Sequence, residues 1–326
     1  MRQYKWGILA PGSIANKFAE GLKIIPNAVM YAVGSRDRGR AEAFAQKHGF
    51  QKTYGSYREL AEDPEVDAIY VAPPHPFHEE AAVLCLNNKK AVICEKPFAV
   101  NSRQVERMIQ CARRNNVFLM EAMWTRFLPT ICKVRELLAG NAIGKVRLVT
   151  ADFGFRAGLN PEGRLFAPAL AGGSLLDVGV YNLSFASMIY GKQPDRIQSH
   201  MAIGSTGVDE ETSILCGYAE GQSALLHSAV RLNTPQEAKI IGEDGRIELP
   251  AYWHGKTVKL FTGDKTQEFD LPFEASGYQF EAMEVMRCLD KGLKESPVIP
   301  LNESLEIIKT ADLVRKDNNL RYPCDE

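Results

Sequence analysis

A lysine held between an acid and a proline, Glu95-Lys96-Pro97, ends the apolar run Ala91-Val92-Ile93-Cys94. Pro97 has no N–H with which to continue a ladder, so Glu95 and Lys96 fall where a buried strand opens into a loop. Open α/β sheets carry their chemistry at such strand ends. A second reactive group lies in residues 170–191, where Asp177 and Tyr181 are four apart and share one face of a helix, with Ser184 continuing the stripe. Gly172-Gly173-Ser174 opens this helix and Gly191 closes it. Nearly every face between them is apolar, so the helix is buried and its carboxylate needs a partner. That partner is Tyr181 in a purely structural reading and a reacting group in a functional one. Gly179 costs about 1 kcal/mol of helix propensity relative to alanine, which predicts that something packs close against that turn.

These groups call for a cofactor, and the opening of the chain offers a place for one. Ala10-Pro11-Gly12-Ser13-Ile14-Ala15 reads as a tight turn from a strand into a helix, where backbone N–H groups receive a pyrophosphate. It keeps glycine only at Gly12 of the usual G-x-G-x-x-G. The next strand ends Val33-Gly34-Ser35-Arg36-Asp37. NAD sites put a carboxylate at this tip for the ribose 2′-OH; Ser35, with Arg36 and Arg40 beside it, suits the 2′-phosphate of NADP instead. NADP is therefore expected ahead of NAD, with Asp37 the one residue against it. The stiff stretch Pro73-Pro74-His75-Pro76-Phe77-His78 puts Pro73, His75 and His78 at another strand's carboxyl end, where they border a nucleotide or cap a helix. No carboxylate or cysteine accompanies these histidines at ligand spacing, so no metal is expected. Trp124, Arg126 and Phe127 sit at a domain junction, where they line a ligand cleft or pack an interface.

The elements that position these residues follow from periodicity. Strands are expected at 5–9, 29–34, 68–72, 91–94 and 117–121, with helices at 13–23, 38–48, 77–87 and 102–116, the last capped by Ser102. This alternation is that of a parallel sheet with crossover helices. From about Lys145 strands follow one another: 146–153, 196–203, 212–218, 223–230, 238–241, 246–249 and 258–261, with Glu243-Asp244-Gly245 as a hairpin turn. Helices are expected at 126–139, 174–190, 278–293 and 304–316. The reading is an α/β Rossmann dinucleotide-binding domain over 1–122, then an α+β domain over 123–326 with a predominantly antiparallel open sheet. The chain has 326 residues, 45% of them hydrophobic and 24% charged, enough for two cores. A net charge of -1 leaves no basic surplus for nucleic acid, and no apolar run is long enough to span a membrane. The 7 cysteines are odd in number and scattered, as expected of reduced thiols in a cytoplasmic chain.

Taken together, Glu95-Lys96-Pro97, the modified glycine turn and Asp177-Val178-Gly179-Val180-Tyr181 resemble the glucose–fructose oxidoreductase and inositol dehydrogenase (Gfo/Idh/MocA) family along essentially the whole chain. The stretches "YGSYRELAEDPEVDAIYV", "EAMWTRFLP", "GGSLLDVGVYNL" and "KGLKESPVIPL" are similar to its NADP-dependent branch that acts on trans-dihydrodiols and aldopyranoses. The resemblance implies an NADP-dependent oxidoreductase in which Lys96 is catalytic and Asp177 and Tyr181 face it across a cleft. Tyr181 stands where many members have histidine, which argues against a histidine-dependent mechanism. Phenols ionise near 10, so Tyr181 serves as base, or as acid in reduction, only with the Lys96 ammonium beside it. Lys96 itself is the alternative proton carrier, and Asp177 orients Lys96 or a substrate hydroxyl. Phe153, Phe155, Trp253 and Phe280, with Trp124, are expected to line an aromatic pocket for a cyclic polyol. Arg156 or Arg164, from the loop 156–171, would bind hydroxyls. The resemblance also implies a homodimer formed through the second sheet. The competing class is a non-catalytic NADP-binding sensor of the same fold; an epimerase or glycosidase with tightly held NAD would want a carboxylate in place of Ser35.

Overall fold

Runs that are buried along their whole length, such as Ala68–Val71 and Ala91–Glu95, must be covered on both faces, and the sheet they build is parallel with helices between its strands. The computed structural model describes residues 2–325. Its first sheet comprises β1 (Tyr4–Leu9), β2 (Ala28–Gly34), β3 (Lys52–Tyr54), β4 (Ala68–Val71), β5 (Ala91–Glu95) and β6 (Leu119–Ala122), ordered β3-β2-β1-β4-β5-β6. Between these strands run α1 (Ser13–Leu22), α2 (Arg38–His48), α3 (Tyr57–Glu62), α4 (His78–Asn87) and α5 (Ser102–Asn115). Strand order reverses between β1 and β4, the switch point outside which doubly wound sheets bind ligands.

In α5, Val105, Met108, Ile109 and Ala112 recur at three- and four-residue steps and are buried. Its cap is Asn101, which accepts from the Gln104 N–H at 3.1 Å, while Gln104 Oε1 accepts from the Val100 N–H at 3.0 Å. Ser102, the expected cap, lies one residue inside the helix.

The second sheet is eight-stranded and mostly antiparallel. It contains β7 (Val146–Gly154), β8 (Arg196–Ile203), β9 (Asp209–Gly217), β10 (Ser223–Ala229), β11 (Ala238–Gly242), β12 (Arg246–Leu249), β13 (Thr257–Thr262) and β14 (Lys265–Asp270), ordered β14-β13-β12-β11-β7-β10-β9-β8. Among the described strands of this second sheet, only β7 and β10 pair in parallel. The expected turn at 243–245 closes the β11–β12 hairpin through Gly242 N–H to Gly245 O at 2.9 Å. α6 (Pro129–Ala139) starts at a proline that follows the short 3₁₀ turn Trp124–Phe127, and α7 (Val180–Tyr190) packs on β7 and β10.

The chain forms two compact units, Met1–Trp124 with Glu274–Leu305, and Thr125–Phe273 with Glu306–Glu326. The first boundary thus falls two residues after the expected one, and the chain then returns to the first unit. α8 (Gln279–Asp290) packs on α1 there rather than on the second sheet. Gly21 permits it: a methyl on Gly21 would stand 2.7 Å from the Gln279 backbone nitrogen, so the two helices meet backbone to backbone. α9 (Leu301–Asp317) is the last helix.

Candidate active site

In the first unit, the turn after β1 leads into α1 without a side-chain cap. Gly12 and Ser13 are exposed, and the nearest atom to a methyl placed on Gly12 would be Ala10 O at 4.0 Å. This leaves the first-turn amides open, as an anion requires. The residue in the left-handed region is Ala10, with φ 65°, and not the glycine. Alanine bears about 1–2 kcal/mol of strain there. Ala15 is fully buried where the third glycine of the fingerprint would sit.

At the tip of β2, Ser35 is 7% exposed and its Oγ accepts from the Asp37 N–H at 3.2 Å. Asp37 in turn caps α2 by accepting from the Arg40 N–H at 3.2 Å, and its carboxylate lies 3.6 Å from Arg40 Nε. The one residue that spoke against NADP is therefore occupied with its own helix. The Arg36 guanidinium lies 5.6 Å from the Phe77 ring centroid, which brings the β2 tip and the loop after β4 together.

That loop is tied to the lysine strand by His78. The imidazole is buried, with Nδ1 2.8 Å from Pro97 O and Nε2 2.9 Å from Pro73 O. Burial pushes its pKa down to about 4, outweighing the opposite pull of the two carbonyls. His78 is thus neutral near pH 7 and braces two loops, both ring nitrogens facing main chain. His75 is also buried, with its ring centroid 5.8 Å from that of His78.

β5 ends at Glu95, which is 4% exposed. One oxygen accepts from the Lys96 N–H at 3.1 Å and the other from the Tyr70 hydroxyl. Glu95 therefore fixes the backbone at Lys96, and the following Lys96–Pro97 bond is cis. Tyr278 and Glu281 reach the surroundings of Tyr70 from α8, and burial with the Glu95 charge keeps the Tyr70 phenol protonated. Trp124 stacks on Tyr278, with ring centroids 4.6 Å apart and planes at 15°.

In the second unit the expected helix over 174–190 begins as a five-residue π turn, Leu175–Gly179, before α7. Asp209 anchors it: its Oδ2 accepts from Ser174 Oγ, the Leu175 N–H and Thr212 Oγ1, each at 2.7 Å. Something does pack against Gly179, namely Ser228 on β10. A methyl on Gly179 would lie 2.9 Å from Ser228 Oγ and 3.2 Å from Leu175 Cδ1. Asp177 is 3% exposed and takes two hydrogen bonds from Arg164, at 2.7 and 3.4 Å. Tyr181 is 5% exposed, its ring 5.3 Å from that of Phe153 and edge-on to it.

Phe153 continues this cluster, stacked on Trp253 at 4.5 Å and 13°, with Phe155 at 6.4 Å. Trp253 is oriented by its Nε1–H, which donates to Gln236 Oε1 at 2.9 Å. Phe280 belongs to α8 and the first unit. Arg126 is buried in the second unit and donates to Ser184 Oγ and O, at 2.9 and 2.8 Å. Arg156 is exposed, and its N–H donates to Asn233 Oδ1 at 2.8 Å.

These two sets of residues lie within matches to known proteins. Residues 4–123 match the oxidoreductase family with an NAD-binding Rossmann fold, and residues 131–248 match the GFO/IDH/MocA C-terminal domain. The trans-1,2-dihydrobenzene-1,2-diol dehydrogenase of Xenopus laevis is 39% identical over 330 residues, covering 98% of this chain and 99% of that protein. The chain belongs to the Gfo/Idh/MocA oxidoreductase family. Two solved structures share its fold. KijD10, a 3-ketoreductase from Actinomadura kijaniata in complex with NADP and TDP-benzene, has a TM-score of 0.85 at 24% identity, covering 97% of this chain and 98% of that one. The aldose-aldose oxidoreductase from Caulobacter crescentus has a TM-score of 0.88 at 22% identity, covering 98% of each chain.

For this Gfo/Idh/MocA oxidoreductase, the sequence offers no place for Tyr70, which holds Glu95 beside the lysine, nor for Asp209 and Ser228, which anchor and pack against the π turn. Tyr70 and Ser228 are polar residues within apolar runs, whereas Asp209 opens the acidic stretch Asp209-Glu210-Glu211 and carries no such signal. Among the described residues, no helix is long and apolar enough to cross a membrane, and no group of three or more His, Cys, Asp or Glu is placed to hold a metal ion.

Proposed function

We propose that this oxidoreductase is an NADP-dependent dehydrogenase acting on the CH–OH group of a cyclic polyol, a trans-dihydrodiol or an aldopyranose such as D-xylose. The observation that carries the cofactor choice is the β2 tip, where Asp37 is spent on capping α2 and Ser35 and Arg36 are left to receive a 2′-phosphate. The open first turn of α1, at Gly12, Ser13 and Ile14, suits the pyrophosphate. Arg40, Pro73, His75 and the Glu95-Lys96-Pro97 bend complete the set assigned to the cofactor. His78 serves it indirectly, by holding the Pro73 and Pro97 main chain, and Trp124 and Arg126 stand on either side of the unit boundary.

A bound nicotinamide would supply the hydride acceptor for the carbinol carbon, or the hydride donor for the carbonyl in reduction. Lys96 donates a hydrogen bond to the reacting oxygen and stabilises charge that develops on it. Tyr181 takes the hydroxyl proton, with the Lys96 ammonium lowering the cost of the phenolate, and gives it back in reduction. Asp177 orients a substrate hydroxyl, and Phe153, Phe155 and Trp253 present flat apolar surface to the ring. Identity of 38–40% with dihydrodiol dehydrogenases over nearly the full chain supports this substrate class. A sensor has no use for Lys96, Asp177 and Tyr181 together, so that reading is not favoured.

We assign a homodimer to the exposed face of the second sheet. Leu215 on β9 and Leu225 on β10 are cross-strand neighbours there, 41% and 48% exposed. Free thiols, most of them buried, suit a cytoplasmic setting. The test is nicotinamide reduction, followed by absorbance, with NADP or NAD against trans-1,2-dihydrobenzene-1,2-diol and D-xylose. Reduction of NADP ahead of NAD by one of these is expected. Preference for NAD would overturn the cofactor assignment, and binding of NADP without turnover of either substrate would return the sensor.

A further inference from the structure

A carboxylate 3% exposed that takes two hydrogen bonds from an arginine 56% exposed is an asymmetric pair. Two partners that merely fill a core are buried together. Here Asp177 is sunk in the π turn and Arg164 reaches it from the solvent side. Its loop, from Phe155 to Leu170, has no strand and only one short 3₁₀ turn. The loop is nevertheless pinned at both ends. Phe155 and Ala157 donate to Ala229 O and Val230 O at 3.1 and 2.9 Å, and Arg231 Nη1 donates to Ala157 O at 2.5 Å. Immediately after Arg164, Leu165 O accepts from the Gly173 N–H at 2.9 Å, and Phe166 is 1% exposed. The position of Arg164 is therefore set by the same Gly172-Gly173 segment that opens the Asp177 turn. Tyr322 closes that segment from the other side, its hydroxyl donating to Gly172 O at 2.5 Å.

We propose that Arg164 is a positioning residue of the active site, which acts through Asp177 and links the arrangement of the 155–170 loop to the direction of that carboxylate. The two-pronged contact fixes the carboxylate plane, which a single point charge does not do. Through that contact the loop bears on how Asp177 meets a substrate hydroxyl, and so becomes a determinant of substrate choice. This inference rests on the proposed role of Asp177.

The test is a double-mutant cycle on kcat/KM for trans-1,2-dihydrobenzene-1,2-diol with NADP saturating, using Arg164→Ala, Asp177→Asn and the pair. Misplacement of the carboxylate predicts a loss of about 100-fold for Arg164→Ala. NADP affinity should stay at the wild-type value, while the melting temperature falls because the buried Asp177 carboxylate loses a partner, so activity is compared at a temperature where every variant is folded. Arg164→Lys should recover only part of the loss, and Arg164→Ala should add little in the Asp177→Asn background. Wild-type kcat/KM in Arg164→Ala, or a loss of equal size in both backgrounds, would overturn the inference while leaving Asp177 catalytic. Wild-type activity in Asp177→Asn would overturn both this inference and the assigned role of Asp177.

Discussion

Glu281 stands in the first turn of α8 with no solvent exposure, and neither carboxyl oxygen has a hydrogen-bond partner among the described residues. Burial, reinforced by the Glu95 charge, holds its pKa well above the ordinary 4.5. Above pH 4.5 the unfolded chain releases this proton and the folded chain keeps it, so the folded state binds more protons and stability falls as pH rises. For as long as the folded protein keeps the proton, the loss approaches about 1.4 kcal/mol per pH unit, with an upper limit of about 2.5 kcal/mol between pH 5 and pH 7. Glu281→Gln keeps the shape and cannot ionise. Its stability relative to wild type should therefore improve as pH rises across that range, by up to about 2.5 kcal/mol. Urea unfolding of both proteins at several pH values measures this, since every other titrating group cancels in the difference. A difference that does not change with pH would mean that Glu281 is ionised in the folded protein, and the reasoning from burial would be refuted.

Gly179→Ala gains up to about 1 kcal/mol of helix propensity but crowds Ser228 and Leu175, which costs about 1–3 kcal/mol. A net loss of about 1 kcal/mol in urea unfolding is expected, and a more stable variant would show that the π turn has slack. Arg36→Ala should raise KM for NADP by roughly 10- to 100-fold, as loss of a charged hydrogen bond does, and leave KM for NAD nearly unchanged. Equal changes for both cofactors would remove Arg36 from the 2′-phosphate site. Asn101→Ala should lower stability by about 1 kcal/mol through loss of the α5 cap, whereas Ser102→Ala should not. The reverse ranking in unfolding would restore Ser102 as the cap.

The parallel sheet was legible because its central strands are buried on both faces and read as unbroken apolar runs between amphipathic helices. β3 and α3 were not, being three and six residues long and largely polar. β14 escaped for a related reason. Lys-Thr-Gln-Glu-Phe-Asp at 265–270 shows little apolar alternation, and it is a strand because the two-residue turn at Gly263 folds it onto β13. Its charges suit an exposed edge. The return of α8 to the first unit has no local signature, since an amphipathic helix does not record which core takes its apolar face. Within the candidate site, the chemistry-bearing types Lys96, Asp177 and Tyr181 stood out from their apolar surroundings. Of their supports, Glu95 stood next to Lys96 and Arg164 was read as a hydroxyl ligand, whereas Asp209 and Tyr70 reach their roles through contacts between segments distant in sequence. Asp37 shows the same limit at short range, where a residue read as a possible ribose ligand is a helix cap.

The central claim is that Lys96 acts on the reacting oxygen, and Lys96→Met tests it most directly. Turnover of trans-1,2-dihydrobenzene-1,2-diol at saturating NADP should fall by about 1,000-fold, equivalent to about 4 kcal/mol of transition-state stabilisation. The dissociation constant for NADP, read from the protein's tryptophan fluorescence, should stay within about twofold of wild type, because the β2 tip and the first turn of α1 carry most of the cofactor affinity and the 95–97 main chain is kept. Near-normal turnover in this variant would contradict the account.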